Sequence, residues 1–484
     1  MGKKEKGLGA WQLTMMALGT VIGGSFFLGS AVAVHTAGPS ILIGFAFGGL
    51  LVYFILYALS ELTVANPDSG SFRTFASQAF GEGTGFVVGW VYWTGMILAM
   101  SSEATAVSIM ARGFFPKLPT SLAGGVIILA VTLINLLGAT RLSKLESVLA
   151  AVKLFAVVAF VLVALLLITG LFPGKAPLGL GELTREPFLP GGITGLAGSM
   201  LIVMFTYSGF EIIGLAASEA KHPKETVPRA IRYTVLSLVG LYILFILTLL
   251  PLIPTGQLNE NTSPIVAALS ANGMGWVGTA MNVVLITAIL STMLAAMFGL
   301  GRMMRSLADE GFAPSWLRDK TDVPYRGILG SGTAMLLALG LGQLFPRVYL
   351  FLISSGGFAL LLSYAVIMAT HIRIRGRSGC PEGKCQMWGF PYTSWLVLLS
   401  LIAVIASMPF VEGQAPGLLA GMAITGFYAL SYLAVRHIRQ RRSTPPKIKF
   451  SSHNAGFAVE LSEELSRPEG DLAEKEETKE RRKD

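Results

Sequence analysis

Long apolar runs separated by short polar stretches dominate the chain from about residue 10 to residue 436. A helix rises 1.5 Å per residue and the hydrocarbon core of a bilayer is roughly 30 Å thick, so about 20 apolar residues suffice to span it. The pattern predicts twelve spans, at residues 10–34, 39–65, 84–111, 121–139, 146–171, 193–218, 228–252, 274–306, 327–345, 349–372, 392–410 and 416–436. Two are interrupted: the first by Gly19-Thr20-Val21-Ile22-Gly23-Gly24-Ser25, the sixth by Thr206-Tyr207-Ser208-Gly209-Phe210-Glu211. An unpaired backbone group inside a bilayer costs several kcal/mol, so unwound chain persists there only where protein, water or a ligand satisfies it. Glycine-marked breaks at matching places in two halves of a chain point to a binding site between them.

Composition agrees with this pattern. Of 484 residues 53% are hydrophobic and only 13% charged, which excludes an ordinary soluble domain and implies a polytopic protein of a lipid bilayer. The first span is too long and too interrupted for a cleaved signal peptide and is expected to stay. Lys and Arg gather on one set of alternate loops, and only Arg112, Lys117, Lys175, Arg185 and Arg347 fall on the other. Cytoplasmic loops collect basic residues, so both termini are expected in the cytoplasm of a cell whose plasma membrane holds the protein. The net charge of +9 is then a topology signal and not a nucleic-acid site. The two cysteines, Cys380 and Cys385, sit on an expected cytoplasmic loop, where a structural disulfide is disfavoured and two thiols fall short of a zinc site.

Spans one to five (10–171) and six to ten (193–372) read as two repeats, each opened by an interrupted helix. An odd number of spans per repeat turns the second copy upside down, which is the 5+5 inverted-repeat plan with a site near the midplane. Around them lie a cytoplasmic N-terminus (1–9), an external loop (172–192), a cytoplasmic loop (373–391), peripheral spans eleven and twelve (392–436) and a charged tail (437–484) whose composition predicts disorder.

Five segments in order carry a family resemblance: Gly19 to Ser30; Pro67-Asp68-Ser69-Gly70-Ser71-Phe72; Gly89-Trp90-Val91-Tyr92-Trp93 with Ser102-Glu103-Ala104-Thr105-Ala106-Val107; Phe205 to Pro228; and Arg302-Met303-Met304 through Gly311-Phe312-Ala313-Pro314. Over about residues 7–440 the chain resembles the amino acid-polyamine-organocation superfamily, and within it the bacterial amino acid permeases. The resemblance implies an all-α leucine-transporter fold with two discontinuous helices, and secondary uptake of an amino acid with a proton as the coupling ion and no other cofactor. An amino acid or polyamine exchanger stays open as the alternative, and a transporter-like sensor ranks below it. Relatives often read Ile-Gly-(Thr or Ser)-Gly in the first break, whereas this chain reads Ile22-Gly23-Gly24-Ser25, with the glycines shifted by one.

A broken helix offers an amino acid zwitterion free N–H groups at the start of one half and free carbonyls at the end of the other. Ile22, Gly23, Gly24 and Ser25 are therefore candidates for the carboxylate, and Thr206, Ser208 and Gly209 for the matching role on span six; close packing of small residues is the competing reading. The resemblance places an aromatic lid at Phe205, with Tyr207 second. Ionisable groups inside spans are costly and suspect by default. Glu103 shares a helical face with Ala99, Met100, Ala106 and Val107, so it looks into the bundle, for substrate contact, proton exchange or a buried structural hydrogen bond. Glu211, where relatives carry Glu or Asp, either titrates or stabilises unwound backbone. Lys153, flanked by Leu149, Ala150, Ala156 and Val157, stands where proton-coupled relatives put a lysine in place of sodium, and either releases a proton or braces the first break as a permanent cation. Glu61 and Glu219, near span ends, read as solvated or ion-paired. No histidine pair, nucleophile set or metal cluster appears at catalytic spacing, and an enzyme is not expected.

Overall fold

The computed structural model describes residues 8–65, 72–215, 220–319, 321, 323–379 and 387–441. The 67–71 part of one motif, Glu219, Cys380, Cys385 and the tail beyond residue 441 lie outside them. The described residues form helices joined by turns, with one isolated bridge where Leu8 pairs with Ala220. That bridge ties the start of the first span to the chain that follows the sixth.

The first span is the pair α1 (Ala10–Val21) and α2 (Ser30–Ala37), joined by a wide helical turn over Ser25–Gly29. Then come α3 (Ile41–Ala65), the short α4 (Phe72–Phe80), α5 (Glu82–Ala111), α6 (Thr120–Asn135) and α7 (Ala139–Thr169). The sixth span is again a pair, α8 (Gly192–Thr206) and α9 (Ile212–Leu215). It is followed by α10 (Pro223–Leu249), α11 (Pro264–Ala271), α12 (Gly275–Asp309), α13 (Tyr325–Gly342), α14 (Val348–Ser378), α15 (Tyr392–Ser407) and α16 (Ala415–Arg441). Each expected span thus meets one helix or one interrupted pair, and α4 and α11 are short helices within loops.

The core is built where small residues let backbones touch. A Cβ on Gly95 of α5 would lie 2.9 Å from the Ala359 Cβ of α14, and one on Gly356 would lie 3.2 Å from the Gly95 carbonyl oxygen. Apolar side chains gain nothing by leaving lipid for one another, so close contact of this kind is what holds membrane helices together. The α14 helix runs six residues past its expected apolar end at residue 372, because its polar extension is paired. His371 Nε2 lies 2.8 Å from Glu61 Oε2 of α3, and Arg375 Nη1 donates to the same oxygen at 3.1 Å. Glu61 is therefore buried and ion-paired. At the end of α12, Arg73 of α4 donates to Glu310 at 2.7 Å through Nη1 and to Ser306 at 3.1 Å through Nη2.

Candidate functional site

The first break is short. After α1 the chain turns extended at Ile22 (φ −78°, ψ 101°), and by Gly24 it is helical again. The half-helix that restarts there presents N–H groups with no preceding turn to accept them. They are taken by Glu103 from the middle of α5: the Gly24 N–H donates to Oε2 at 2.6 Å and the Ser25 N–H to Oε1 at 3.2 Å. Glycine is needed here for space, since a Cβ on Gly24 would sit 2.7 Å from Oε2 and one on Gly23 3.2 Å from Oε1.

The other half of the break is held by a cation. The Lys153 ammonium on α7 donates to the Gly19 carbonyl at 3.0 Å and to the Thr292 hydroxyl on α12 at 2.7 Å. Thr292 in turn lies 3.3 Å from the Ile22 carbonyl. An ammonium at the C-terminal end of one half-helix and a carboxylate at the N-terminal end of the next match the two poles of the backbone dipoles. Both side chains are buried, Glu103 at 4% exposure and Lys153 at 2%.

The second break spans the turn between α8 and α9 and is organised by Glu211. Its carboxylate accepts the Gly209 N–H at 3.0 Å, the Tyr92 hydroxyl of α5 at 2.7 Å and the Tyr364 hydroxyl of α14 at 3.1 Å. Here Glu211 stabilises unwound backbone and links two other helices to it. Gly209 has φ +103°, and a Cβ there would lie 3.0 Å from the Thr20 carbonyl oxygen of the first span. Gly209→Ala should therefore cost about 1–3 kcal/mol of backbone strain, read as a lower midpoint of thermal unfolding in detergent; an unchanged midpoint would show that the turn relaxes freely.

The two breaks touch. Thr20 Oγ1 lies 3.2 Å from the Gly209 carbonyl, and Thr206 Oγ1 lies 3.3 Å from the Ser25 carbonyl while bonding Ile202 of its own helix at 2.8 Å. Tyr242 of α10 bridges them, with its ring stacked on Phe26 at 4.3 Å and its hydroxyl 3.3 Å from the Thr206 carbonyl. Tyr349 of α14 reaches the Gly24 carbonyl at 3.4 Å. Phe205 is buried, and Ser208, half-buried, turns its N–H to the Phe205 carbonyl at 3.1 Å. Tyr207 donates to the Phe45 carbonyl of α3 at 2.9 Å, and its ring packs on Tyr242 at 5.1 Å.

Thr292, Tyr349, Tyr242, Tyr92 and Tyr364 are site residues that the sequence reading did not single out. Tyr92 lies inside a quoted motif, which was its one available signal. Among the described residues no group of three or more His, Cys, Asp or Glu is placed to hold a metal ion.

A family model described as amino acid permease matches residues 12–448. The chain belongs to this family. The permease is 32% identical to the gamma-aminobutyric acid permease of Bacillus subtilis (strain 168) over 439 residues, covering 89% of this chain and 94% of that one. It is likewise 32% identical to the aromatic amino acid transport protein AroP of Escherichia coli (strain K12) over 417 residues, covering 85% and 91%. Its fold resembles a crystal structure of an Eremococcus coleocola manganese transporter mutant, with a TM-score of 0.53 at 15% identity, covering 90% of this chain and 95% of that one. The permease is thus an all-α, multi-pass membrane transporter with two discontinuous helices, and not an enzyme.

Proposed function

We propose that this amino acid transporter works by proton symport, importing a zwitterionic amino acid into the cytoplasm by alternating access around the two breaks. The relatives' names span 4-aminobutyrate and aromatic amino acids, molecules that share a carboxylate and an ammonium group but little else. The backbone of Gly23, Gly24 and Ser25, with Ile22 before them, and the turn of Thr206, Ser208 and Gly209 are the parts that match this shared zwitterion, with Phe205 beside them.

The observation that carries the coupling reading is the Lys153 ammonium on the Gly19 carbonyl, a titratable cation at the hinge of a broken helix. When the ammonium releases its proton, a neutral amine stays behind that holds the carbonyl less strongly, and the grip of α7 on α1 loosens. Glu211, bonded to both α5 and α14, is the second group through which protonation would be felt beyond its own span. The alternate-loop distribution of basic residues supports cytoplasmic termini.

The test is uptake of a labelled amino acid panel into proteoliposomes, with and without an inward proton gradient. Accumulation that needs the gradient is expected. Uptake only into vesicles preloaded with amino acid would establish exchange instead, and no uptake of any panel member would overturn the amino acid reading.

A further inference from the structure

We propose that Glu103 is an internal stand-in for the substrate's carboxylate, and that its presence makes the site reject carboxylates that carry no ammonium group. The inference rests on the amino acid transport reading and assigns the residue that selects for the zwitterion.

An amino acid needs N–H donors for its carboxylate, and the start of the half-helix at Gly24 supplies them. Both donors are already engaged by Glu103, one to each carboxylate oxygen, at 2.6 and 3.2 Å. That two-oxygen contact is the one an incoming carboxylate would make. The two cannot coexist: even a single added carbon on Gly24 would come within 2.7 Å of Oε2 and 3.3 Å of the Ala106 Cβ. Substrate therefore binds by displacing Glu103.

Charge then decides which molecules can do so. Around Glu103 stand the Lys153 ammonium from α7, held on the Gly19 carbonyl, and the Tyr349 hydroxyl from α14, 3.4 Å from the Gly24 carbonyl, with the Thr292 methyl group of α12 beside Gly23. With both groups ionised, the buried Glu103 carboxylate and Lys153 ammonium balance each other. A simple carboxylate that displaced Glu103 would leave two anions facing one cation, and an uncompensated buried charge is strongly disfavoured. A zwitterion brings its own cation, to which the displaced Glu103 carboxylate turns, and the balance is kept. The discrimination depends on charge count and not on side-chain shape, so it serves substrates as unlike as those named for the relatives.

Purified full-length protein in detergent would be titrated with phenylalanine and 4-aminobutyrate, and with their deaminated counterparts 3-phenylpropionate and butyrate. The wild type is expected to bind at least one amino acid and not its counterpart. Glu103→Ala vacates both the donors and the negative charge, and is expected to bind that counterpart at least tenfold more tightly than the wild type does. Glu103→Gln keeps the side-chain volume without the charge and should show a smaller gain; it carries the comparison if the alanine variant loses its cooperative thermal transition. If neither variant gains affinity for the deaminated molecule, or if the wild type already binds it as well as the amino acid, the stand-in role is wrong. A wild type that binds neither these two nor any other member of the amino acid panel overturns the zwitterion reading on which this inference rests, whereas one that binds an amino acid and its deaminated counterpart alike overturns the stand-in role alone.

Discussion

Lys153→Ala is expected to abolish proton-driven accumulation of substrate while exchange of labelled for unlabelled substrate across the membrane continues. One positive charge moving through 100 mV releases about 2.3 kcal/mol, and a tenfold gradient corresponds to about 1.4, so a tightly coupled carrier should concentrate substrate roughly 40-fold. The alanine variant should concentrate it about onefold, having lost the cation that the Gly19 carbonyl and the Thr292 hydroxyl share. Lys153→Arg separates the two roles open to this residue. A guanidinium keeps the charge and can bond the same carbonyl, but it does not release its proton at any working pH. Exchange without accumulation in that variant would match a titrating lysine, whereas accumulation kept by the arginine alone would match a permanent brace. Full accumulation in either variant would refute coupling through this residue.

The second large effect is structural. Glu211→Ala should lower the stability of the folded bundle by about 3 kcal/mol or more, because three donors lose their acceptor at once and a buried unsatisfied group costs about 1–3 kcal/mol. Those donors are the Gly209 N–H and the hydroxyls of Tyr92 and Tyr364. Glu211→Gln retains an amide oxygen, and the tyrosine hydroxyls can rotate to suit it, so its loss should be clearly smaller. Thermal unfolding in detergent measures both. Equal losses for the two variants would mean that charge, and not hydrogen bonding, holds the second break together.

The helices and their breaks were legible in the sequence because both are local properties. Some 20 apolar residues in a row can hardly be anything but a span, and glycine beside polar residues marks where a span cannot stay wound. What could not be read was which groups satisfy the breaks. Glu103 caps an N–H 79 positions earlier, and the tyrosines on Glu211 come from 119 and 153 positions away. Helical spacing shows only which residues share a face. On that basis Lys153 had no charged neighbour, yet packing brings Glu103 from α5 to the same break. Nor does the place of Tyr207 in the sixth span reveal that its hydroxyl bonds the Phe45 carbonyl of α3.

The self-capped first break also bears on the stroke in which the carrier moves unloaded. A one-way uptake cycle must return empty, and a break whose N–H groups wait for substrate would then leave bare dipoles unsatisfied inside the bilayer. With Glu103 seated on Gly24 and Ser25 and Lys153 on Gly19, the chain's own side chains satisfy the backbone groups at these positions. On the symport reading proposed above, such self-capping would let the return stroke run without a passenger and would remove one electrostatic reason for obligatory exchange.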